Sequence, residues 1–158
     1  MDSPQYVLGI DTGVQHLGMA LLETRINGIS VIYEYNVKSY STAHIDITDF
    51  FLEAAPNIIV YEKPFFSPKT YANNIRTLEV IGILKLIAEQ LNIPIEGIAP
   101  TTIKKQFTGN GRASKQDVID AVRLRFNFRD DCELSTHEAD ACAVAAGWYK
   151  LKYSDEVQ

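Results

Sequence analysis

Three acidic residues stand where the surrounding sequence is apolar. Asp11 and Glu62 each follow a short apolar stretch, and Asp140 lies inside the alanine-rich segment HEADACAVA. His137 precedes Asp140 by three residues, so the two side chains project from the same face of a helix. Because a carboxylate buried without a partner is costly in free energy, these residues are expected to share a cation or a proton.

Three carboxylates and one imidazole are a suitable ligand set for a hard divalent cation. Mg²⁺ and Mn²⁺ prefer oxygen ligands, whereas a zinc site would need more cysteine and histidine. Paired ions of this kind stabilise the attacking and leaving oxygens of a phosphoryl displacement. Taken singly, Asp11 could end a turn, Glu62 could pair with a surface lysine, and His137 could face solvent. Their joint arrangement favours a metal site.

The elements expected to carry these residues alternate between strands and helices. Strands are predicted at Tyr6–Ile10, Leu17–Leu22, Ile29–Val37, Asn57–Tyr61 and Ile93–Ile98, and helices at about 41–55, 71–91, 100–107, 114–126 and from 135 onward. Asn27-Gly28 is a hairpin signal between the second and third strands. If the first and fourth strands are parallel neighbours about 4.8 Å apart, Asp11 and Glu62 converge at their ends. The order predicts an α/β domain with a five-stranded mixed sheet flanked by helices.

Charge is unevenly distributed along the chain. The net charge is −5, yet residues 100–129 carry seven Lys or Arg and only two Asp. A basic segment in an acidic chain predicts a phosphate-facing surface, with a merely solvated helix as the alternative.

The two cysteines form no zinc or disulfide pattern, and no apolar run approaches the ~20 residues of a membrane span. We expect one domain at 1–153, a short flexible tail at 154–158, and a cytoplasmic location without a targeting segment or membrane partner.

Four segments resemble the RuvC family of Holliday junction resolvases. They are GIDTG at Gly9–Gly13, YEKPFF at Tyr61–Phe66, IAPTTIKKQFTGNGRASKQDVI at Ile98–Ile119 and HEADACAVA at His137–Ala145. The segments occur in the family's order, and the resemblance runs from about residue 6 to 149. GIDTG also resembles turns of sugar kinases and actin-like ATPases, whereas KKQFTGNGRASK together with HEADA is far more specific.

The resemblance implies an RNase H-like fold, a homodimer, and Mg²⁺-dependent paired nicking of four-way DNA junctions. It implies two Mg²⁺ ions in each active site, for which Mn²⁺ can substitute, and products with a 5′-phosphate. Asp11, Glu62 and Asp140 match the family's catalytic carboxylates. His137 stands where many members have a fourth Asp and some have His, so its role is either metal ligand or general base. Lys115 matches a position associated with catalysis and with DNA contact.

Candidate DNA-binding residues surround these segments. Phe65 matches an aromatic residue that stacks on a base near the junction centre in the family. The complete predicted DNA-binding set is Phe65, Phe66, Lys104, Lys105, Asn110, Arg112 and Lys115. The Gly-Asn-Gly turn can let the backbone approach a phosphate, although it could be a plain turn, and the two phenylalanines could instead lie in the core.

Two further predictions concern assembly and activity. The wide apolar face of the helix at 71–91 fits contact with the domain on one side and with a second copy on the other, with complete burial in the core as the alternative. For activity, the alternatives to junction cleavage are a catalytically silent junction-binding protein that recruits partners and an RNase H-like nuclease acting on other branched DNA or on RNA–DNA hybrids. A small-molecule phosphotransferase is the weakest of the alternatives, because one domain of 158 residues lacks a second lobe.

Overall fold

A computed structural model describes residues 2–154 of the chain and contains five strands and five helices within that range. The strands are β1 (Tyr6–Thr12), β2 (His16–Glu23), β3 (Gly28–Asn36), β4 (Ile58–Glu62) and β5 (Ile95–Ile98). The helices are α1 (Tyr40–Ala54), α2 (Tyr71–Gln90), α3 (Pro100–Thr108), α4 (Lys115–Arg125) and α5 (Thr136–Tyr153). Every predicted element is present. Of the predicted tail at 154–158, only Ser154 lies within the described residues.

The five strands form one mixed sheet in the order β3-β2-β1-β4-β5. β1 pairs with β2 and β2 with β3 in antiparallel fashion, whereas β4 is parallel to both β1 and β5. The register places Gly9 beside Val60 and Ile10 beside Tyr61. The prediction that the first and fourth strands are parallel neighbours is therefore confirmed, and the carboxyl ends of β1 and β4 lie at the same edge of the sheet.

Helices cover both faces of the sheet, and alternation along each strand decides which face a residue joins. Leu8 and Ile10 of β1 lie in the core formed with α1 and α2, whereas Val7 packs with residues of α5. In β4, Val60 belongs to the α5 side and its neighbours Ile59 and Tyr61 to the other. Counting two residues at a time from Val7 and Val60 leads to Asp11 and Glu62, so both acids belong to the face that α5 covers.

Small residues allow α5 to lie directly on the sheet. From Ala139 to Trp148 almost every residue of this helix is buried. The close approach requires glycine at Gly9, where an added Cβ would lie 2.7 Å from the backbone nitrogen of Ala145. No side chain larger than hydrogen fits at that point. The alanine-rich stretch thus brings the start of α5 to the carboxyl end of β1.

Local sequence signals determine where several elements begin. Two capping boxes are formed, by Ser114 with Asp117 before α4 and by Ser135 with Glu138 before α5. The β2–β3 hairpin is also confirmed, but its loop spans residues 24–27 and only Asn27 adopts a left-handed conformation, with φ of 49°. Within residues 2–154, no helix is long and apolar enough to cross a membrane.

Candidate active site

A cavity of about 230 Å³ opens where the carboxyl ends of β1 and β4 meet the first turns of α5. It is lined by Asp11, Gly13, Glu62, Pro100, Ile103, Lys104, Lys115, Val118, His137, Asp140 and Ala143. The four predicted metal ligands all border this one cavity, although they lie up to 129 positions apart in the chain. The structure therefore brings together the complete set that the sequence suggested.

Hydrogen bonds between neighbouring strands hold the acidic residues in place. Thr12 follows Asp11 and donates from its hydroxyl to the carbonyl oxygen of Glu62 over 2.7 Å. Just beyond Glu62, the backbone N–H of Lys63 donates to the carbonyl oxygen of Ile98 over 2.9 Å. These two bonds tie together the ends of β1, β4 and β5. By fixing these strand ends relative to one another, the bonds also fix the distance between the backbone positions of Asp11 and Glu62, whose carboxylates border the cavity.

His137 contacts Asp11 directly. Its Nδ1 lies 2.7 Å from Oδ2 of Asp11, and the side chain of His137 is half-buried while that of Asp11 is 13% exposed. Gly13 leaves room for the ring, since a Cβ there would lie 3.3 Å from Cε1 of His137. The hydrogen bond to Asp11 is the main reason why the pKa of His137 is raised, since it stabilises the protonated ring. The alternative of a solvent-facing histidine is wrong.

The carboxyl group of Glu62 has the most perturbed pKa of the cavity. Burial, followed by the nearby negative charges of Asp11 and Asp140, raises its pKa from an ordinary 4.5 to about 8. Glu62 makes no ion pair with a surface lysine among the described residues. That alternative is therefore wrong, and Glu62 lies in an environment where its negative charge lacks sufficient compensation.

The carboxyl pKa of Asp140 is also raised, but by less than that of Glu62. Burial, followed by repulsion from Asp11, raises its pKa from 3.8 to about 6. Lys115, His137 and Lys104 oppose this rise through their positive charges. Two lysines from α3 and α4 thus face the same cavity as the carboxylates, and they provide positive charge next to the place where an anionic phosphate would lie.

The donor set fits a hard cation. Within the described residues, no group of three or more His, Cys, Asp and Glu side chains is arranged as a formed metal site. The chemistry of the groups nevertheless suits one, because carboxylate oxygens and one imidazole border a single cavity. A divalent cation would also offset the repulsion that raises the pKa of Glu62 and of Asp140.

His16 and Glu34 extend the site, and the sequence analysis did not predict them. The ring of His16 stacks on that of His137, with centroids 5.7 Å apart and an angle of 18° between the planes. Nδ1 of His16 lies 3.2 Å from Oε1 of Glu34 on β3. The pairing of His16 with Asn36 at the start of the β2–β3 ladder brings these residues together. The only signal in the sequence is a histidine at the start of a strand that follows the GIDTG turn.

Phe65 and Phe66 lie outside the cavity on the loop after β4. Their exposed fractions are 70% and 58%, so the alternative that they lie in the core is wrong. The loop is anchored by Asn74, a buried residue whose side-chain amide donates to the carbonyl oxygen of Phe65 over 2.8 Å. The loop therefore holds two large aromatic rings in solvent, where they can meet a binding partner.

The remaining predicted DNA contacts lie beside the cavity rather than in it. Lys105 and Arg112 are exposed, and neither lines the cavity. Asn110 accepts a hydrogen bond from the backbone N–H of Arg112 over 2.9 Å, and Gly109 has φ of 81°. Lys115, the lysine predicted to take part in catalysis, does border the cavity. Lys105 stays a predicted DNA-backbone contact.

Substitution of Gly18 by Ala is expected to separate α5 from the sheet at the active site. An added Cβ would collide with the backbone carbonyl of His137 and lie 3.1 Å from the backbone nitrogen of Glu138. Because backbone cannot move aside as a flexible side chain can, we expect a loss of about 1–3 kcal/mol in the free energy of unfolding, measured by urea denaturation.

Gly28→Ala is the matched control for this substitution. There the new methyl would meet mainly the exposed side chain of Ile26, at 3.3 Å. We expect its unfolding free energy to change by less than about 0.5 kcal/mol. Equal stability of the Gly18→Ala variant and the unmodified protein would contradict the close packing of α5 described above.

The sheet order and the acidic cavity place the chain in the RNase H-like class of α/β proteins. Among solved structures, Thermus thermophilus RuvC in complex with a Holliday junction substrate aligns with a TM-score of 0.81 at 20% identity, covering 95% of this chain and 96% of that one. The yeast mitochondrial Holliday junction resolvase aligns with a TM-score of 0.65 at 15% identity, covering 95% of this chain and 80% of that one. Because both sequence identities are low, these structural alignments establish the fold of the chain and nothing further.

Sequence comparison establishes the family. The profile described as crossover junction endodeoxyribonuclease RuvC matches residues 7–147. The protein of that name from Gloeobacter violaceus is 30% identical, in an alignment that covers 90% of this chain and 87% of the relative. The protein from Pseudothermotoga lettingae is 28% identical over 151 residues, covering 90% and 91%. The chain belongs to the RuvC family of crossover junction endodeoxyribonucleases.

Proposed function

We propose that this chain is a divalent-metal-dependent endonuclease that resolves four-way DNA junctions by paired hydrolysis of phosphodiester bonds. One observation carries the proposal: three carboxylates, one imidazole and two lysines border a single cavity in a chain of the crossover junction endodeoxyribonuclease family. A protein that only binds DNA gains nothing from buried negative charge facing phosphates. The acidic cavity therefore favours catalysis over silent junction binding.

Asp11, Glu62, His137 and Asp140 are the residues that would hold Mg²⁺, with two ions for each active site and Mn²⁺ as a substitute. When bound, such ions lower the pKa of a water molecule and stabilise the charge of an in-line displacement, which leaves a 5′-phosphate and a 3′-hydroxyl. The three carboxylates contribute the negative charge that attracts the ions. Their anchoring on β1, β4 and α5 positions these donors before DNA arrives.

His137 is oriented by the carboxylate of Asp11. Because Nδ1 is engaged with Oδ2 at 2.7 Å, the other ring nitrogen, Nε2, is available either to bind an ion or to accept a proton from the attacking water. The stacked ring of His16 restricts rotation of the imidazole. Both roles for His137, metal ligand and general base, use this same orientation.

Lys115 is the residue that we assign to charge compensation at the reacting phosphate. It begins α4 and borders the same cavity as the carboxylates, together with Lys104 from α3. An ammonium group placed there stabilises negative charge that increases in the transition state. Both lysines also lie in the basic segment at 100–129, so they attract the DNA backbone as well.

The surface around the cavity supplies contacts to the junction. Phe65 is a candidate for stacking on a base at the junction centre, an interaction of about 1–3 kcal/mol for each base, and Phe66 is its exposed neighbour. Lys105, Asn110 and Arg112 are candidates for contact with the phosphate backbone beside the cavity. All five side chains are exposed, which suits a ligand much larger than the cavity itself.

A homodimer is the assembly that we propose for the active protein. One face of α2 packs into the core, while Tyr71, Ile75, Leu78 and Leu86 are exposed along another. These apolar residues recur on a single helical face, which is the pattern expected of a helix that packs against a second copy. A two-fold dimer would present two active sites to opposite strands of a junction, which itself has two-fold symmetry.

Substitution of Leu78 by Glu is expected to convert the dimer into a monomer. The charge would be introduced in the centre of the exposed apolar face of α2, where Leu78 has an exposed fraction of 45%. Sedimentation velocity would report the change in mass, and a supercoiled cruciform plasmid would report single nicks instead of coupled cuts. Leu124→Glu on α4 is the control, since Leu124 is 83% exposed and lies outside this face. Dimers of unchanged stability in the Leu78 variant would contradict the assigned interface.

The substrate class can be tested by offering the purified protein three labelled DNAs with Mg²⁺. These are a four-way junction, a linear duplex of the same sequence and an RNA–DNA hybrid. We expect cleavage of the junction at least about a hundredfold faster than of either linear substrate, a difference of nearly 3 kcal/mol in activation free energy. Preferential cutting of the hybrid would favour an RNase H-like activity, and junction binding without any product would favour a silent binding protein.

A further inference from the structure

β3 forms an edge of the sheet that lacks the usual protection. It comes first in the strand order, and within residues 2–154 no strand pairs with its outer side. Its nine residues, GISVIYEYN, contain neither Lys nor Pro, the residues that most often block an exposed edge. Its single charged residue, Glu34, is engaged with His16 at 3.2 Å. A long edge of this kind can accept an added strand.

A groove runs between this edge and α1, which we call the β3–α1 groove. Its volume is about 560 Å³, and its floor is formed by the buried side chains of Met19, Tyr35 and Ile47. On one side, Tyr33 of β3 stacks on Phe50 of α1, with ring centroids 5.6 Å apart and planes inclined by 20°. The groove therefore offers an aromatic surface beside unpaired backbone.

The rim of the β3–α1 groove is acidic. Asp46, Asp49 and Glu53 all project from α1 into it, and among residues 2–154 no lysine, arginine or histidine lines it. Tyr35 donates its hydroxyl to Asp46 over 2.7 Å, which holds that carboxylate at the groove. α1 lies on the opposite face of the sheet from α3 and α4, which carry the basic segment. Phosphate groups are repelled from this rim, whereas a basic polypeptide is attracted.

We propose that the β3–α1 groove binds an extended basic segment of a partner protein, which pairs with β3 as an added strand. Residues of an added strand point alternately to the two faces of the sheet. Every second residue would therefore lie over the groove, where a Lys or Arg can lay its aliphatic stem on Tyr33 and Phe50. Its charged end then reaches Asp49 or Glu53. This docking site is separate from the nuclease cavity and does not depend on the substrate that the cavity cleaves.

The probe for this site is a fluorescein-labelled peptide of about nine residues in which Lys or Arg alternates with Val. Its binding to the full chain is measured by fluorescence anisotropy at about 0.15 M salt, where long-range attraction is screened. A peptide of the same composition, with all basic residues in one block, tests for unspecific charge attraction. We expect the alternating peptide to bind at least about tenfold more tightly, a difference of ~1.4 kcal/mol.

Two sets of protein variants locate the contact. The double variant Asp49→Asn/Glu53→Gln removes two rim charges, and its control Glu89→Gln/Glu133→Gln removes two exposed charges that do not line the groove. Val31→Lys blocks the edge by introducing a charge. We expect about tenfold weaker binding in the rim and edge variants, unchanged binding in the control, and unchanged junction cleavage in all of them.

Three outcomes would overturn the proposal. The first is equal affinity for the alternating and the block peptide. The second is unchanged binding by the rim variant, which differs only at two exposed side chains and is expected to fold normally. The third is self-association of the chain that Val31→Lys abolishes in sedimentation velocity, since the occupant of the groove would then be a second copy of this chain.

Discussion

Replacement of Asp11 or Asp140 by Asn is expected to abolish DNA cleavage while binding to a four-way junction survives. Both side chains border the cavity, and each loses the negative charge that would hold a divalent cation there. The amide keeps the size of the side chain, so the exposed phenylalanines and the basic segment keep their positions. We expect cleavage to fall by at least about a thousandfold, or ~4 kcal/mol in activation free energy.

Gel-shift titration with Ca²⁺ in place of Mg²⁺ measures binding, and strand cleavage with Mg²⁺ measures activity. Asp131→Asn is the matched control, because Asp131 is exposed, pairs with Arg129 and does not line the cavity. Cleavage at the rate of the unmodified protein by either cavity variant would contradict the assignment of Asp11 and Asp140 as metal ligands. Loss of junction binding together with cleavage would indicate a structural role.

Replacement of Glu62 by Gln is expected to stabilise the metal-free protein at pH 8. The pKa of Glu62 is raised to about 8 in the folded state, chiefly by burial and then by Asp11 and Asp140. The folded state therefore binds a proton more tightly than the unfolded state does. The contribution of the Glu62 carboxyl group to the free energy of unfolding is therefore complete below pH 4.5, and it is lost as the pH rises to about 8. Gln removes this decline, which is of the order of a few kcal/mol.

Urea denaturation in the presence of EDTA, repeated between pH 5 and 8, measures this effect. The unfolding free energy of the unmodified protein should fall across the range more steeply than that of the Glu62→Gln variant. Part of the decline should remain in the variant, because the pKa of Asp140 is raised to about 6. Glu133→Gln, at an exposed position, should leave the pH dependence unchanged. A Glu62→Gln variant less stable than the unmodified protein at pH 8 would contradict the account of Glu62.

Much of the site could be predicted because it depends on strand ends and helical periodicity. Asp11 and Glu62 follow apolar strands, and parallel pairing of those strands is sufficient to bring them together. His137 and Asp140 share a helix face by their spacing alone. The alanines around Asp140 indicate close packing on the sheet, which Gly9 makes possible. In each of these cases, a pattern over a few neighbouring residues is sufficient to predict where the side chain lies in its strand or helix.

The residues that were missed depend on cross-strand register and on loop conformation. His16 meets His137 only because β2 pairs with β1 in one particular register, and Glu34 is added by the register of β3. Periodicity carries no information on such pairings between distant side chains. Phe65 could lie in the core or in solvent, and periodicity carries no information on the loop conformation in which Asn74 binds its carbonyl oxygen. The groove beside β3 likewise results from the packing of α1 across the sheet edge.

Mapping both strands of a synthetic four-way junction after incubation with Mg²⁺ tests the central claim most directly. If the acidic cavity is a nuclease site duplicated in a two-fold dimer, nicks should appear at symmetric positions on two opposing strands, with 5′-phosphate ends and only when the metal is present. Metal-independent product, nicks at unrelated positions, or an intact junction bound by the protein would contradict it.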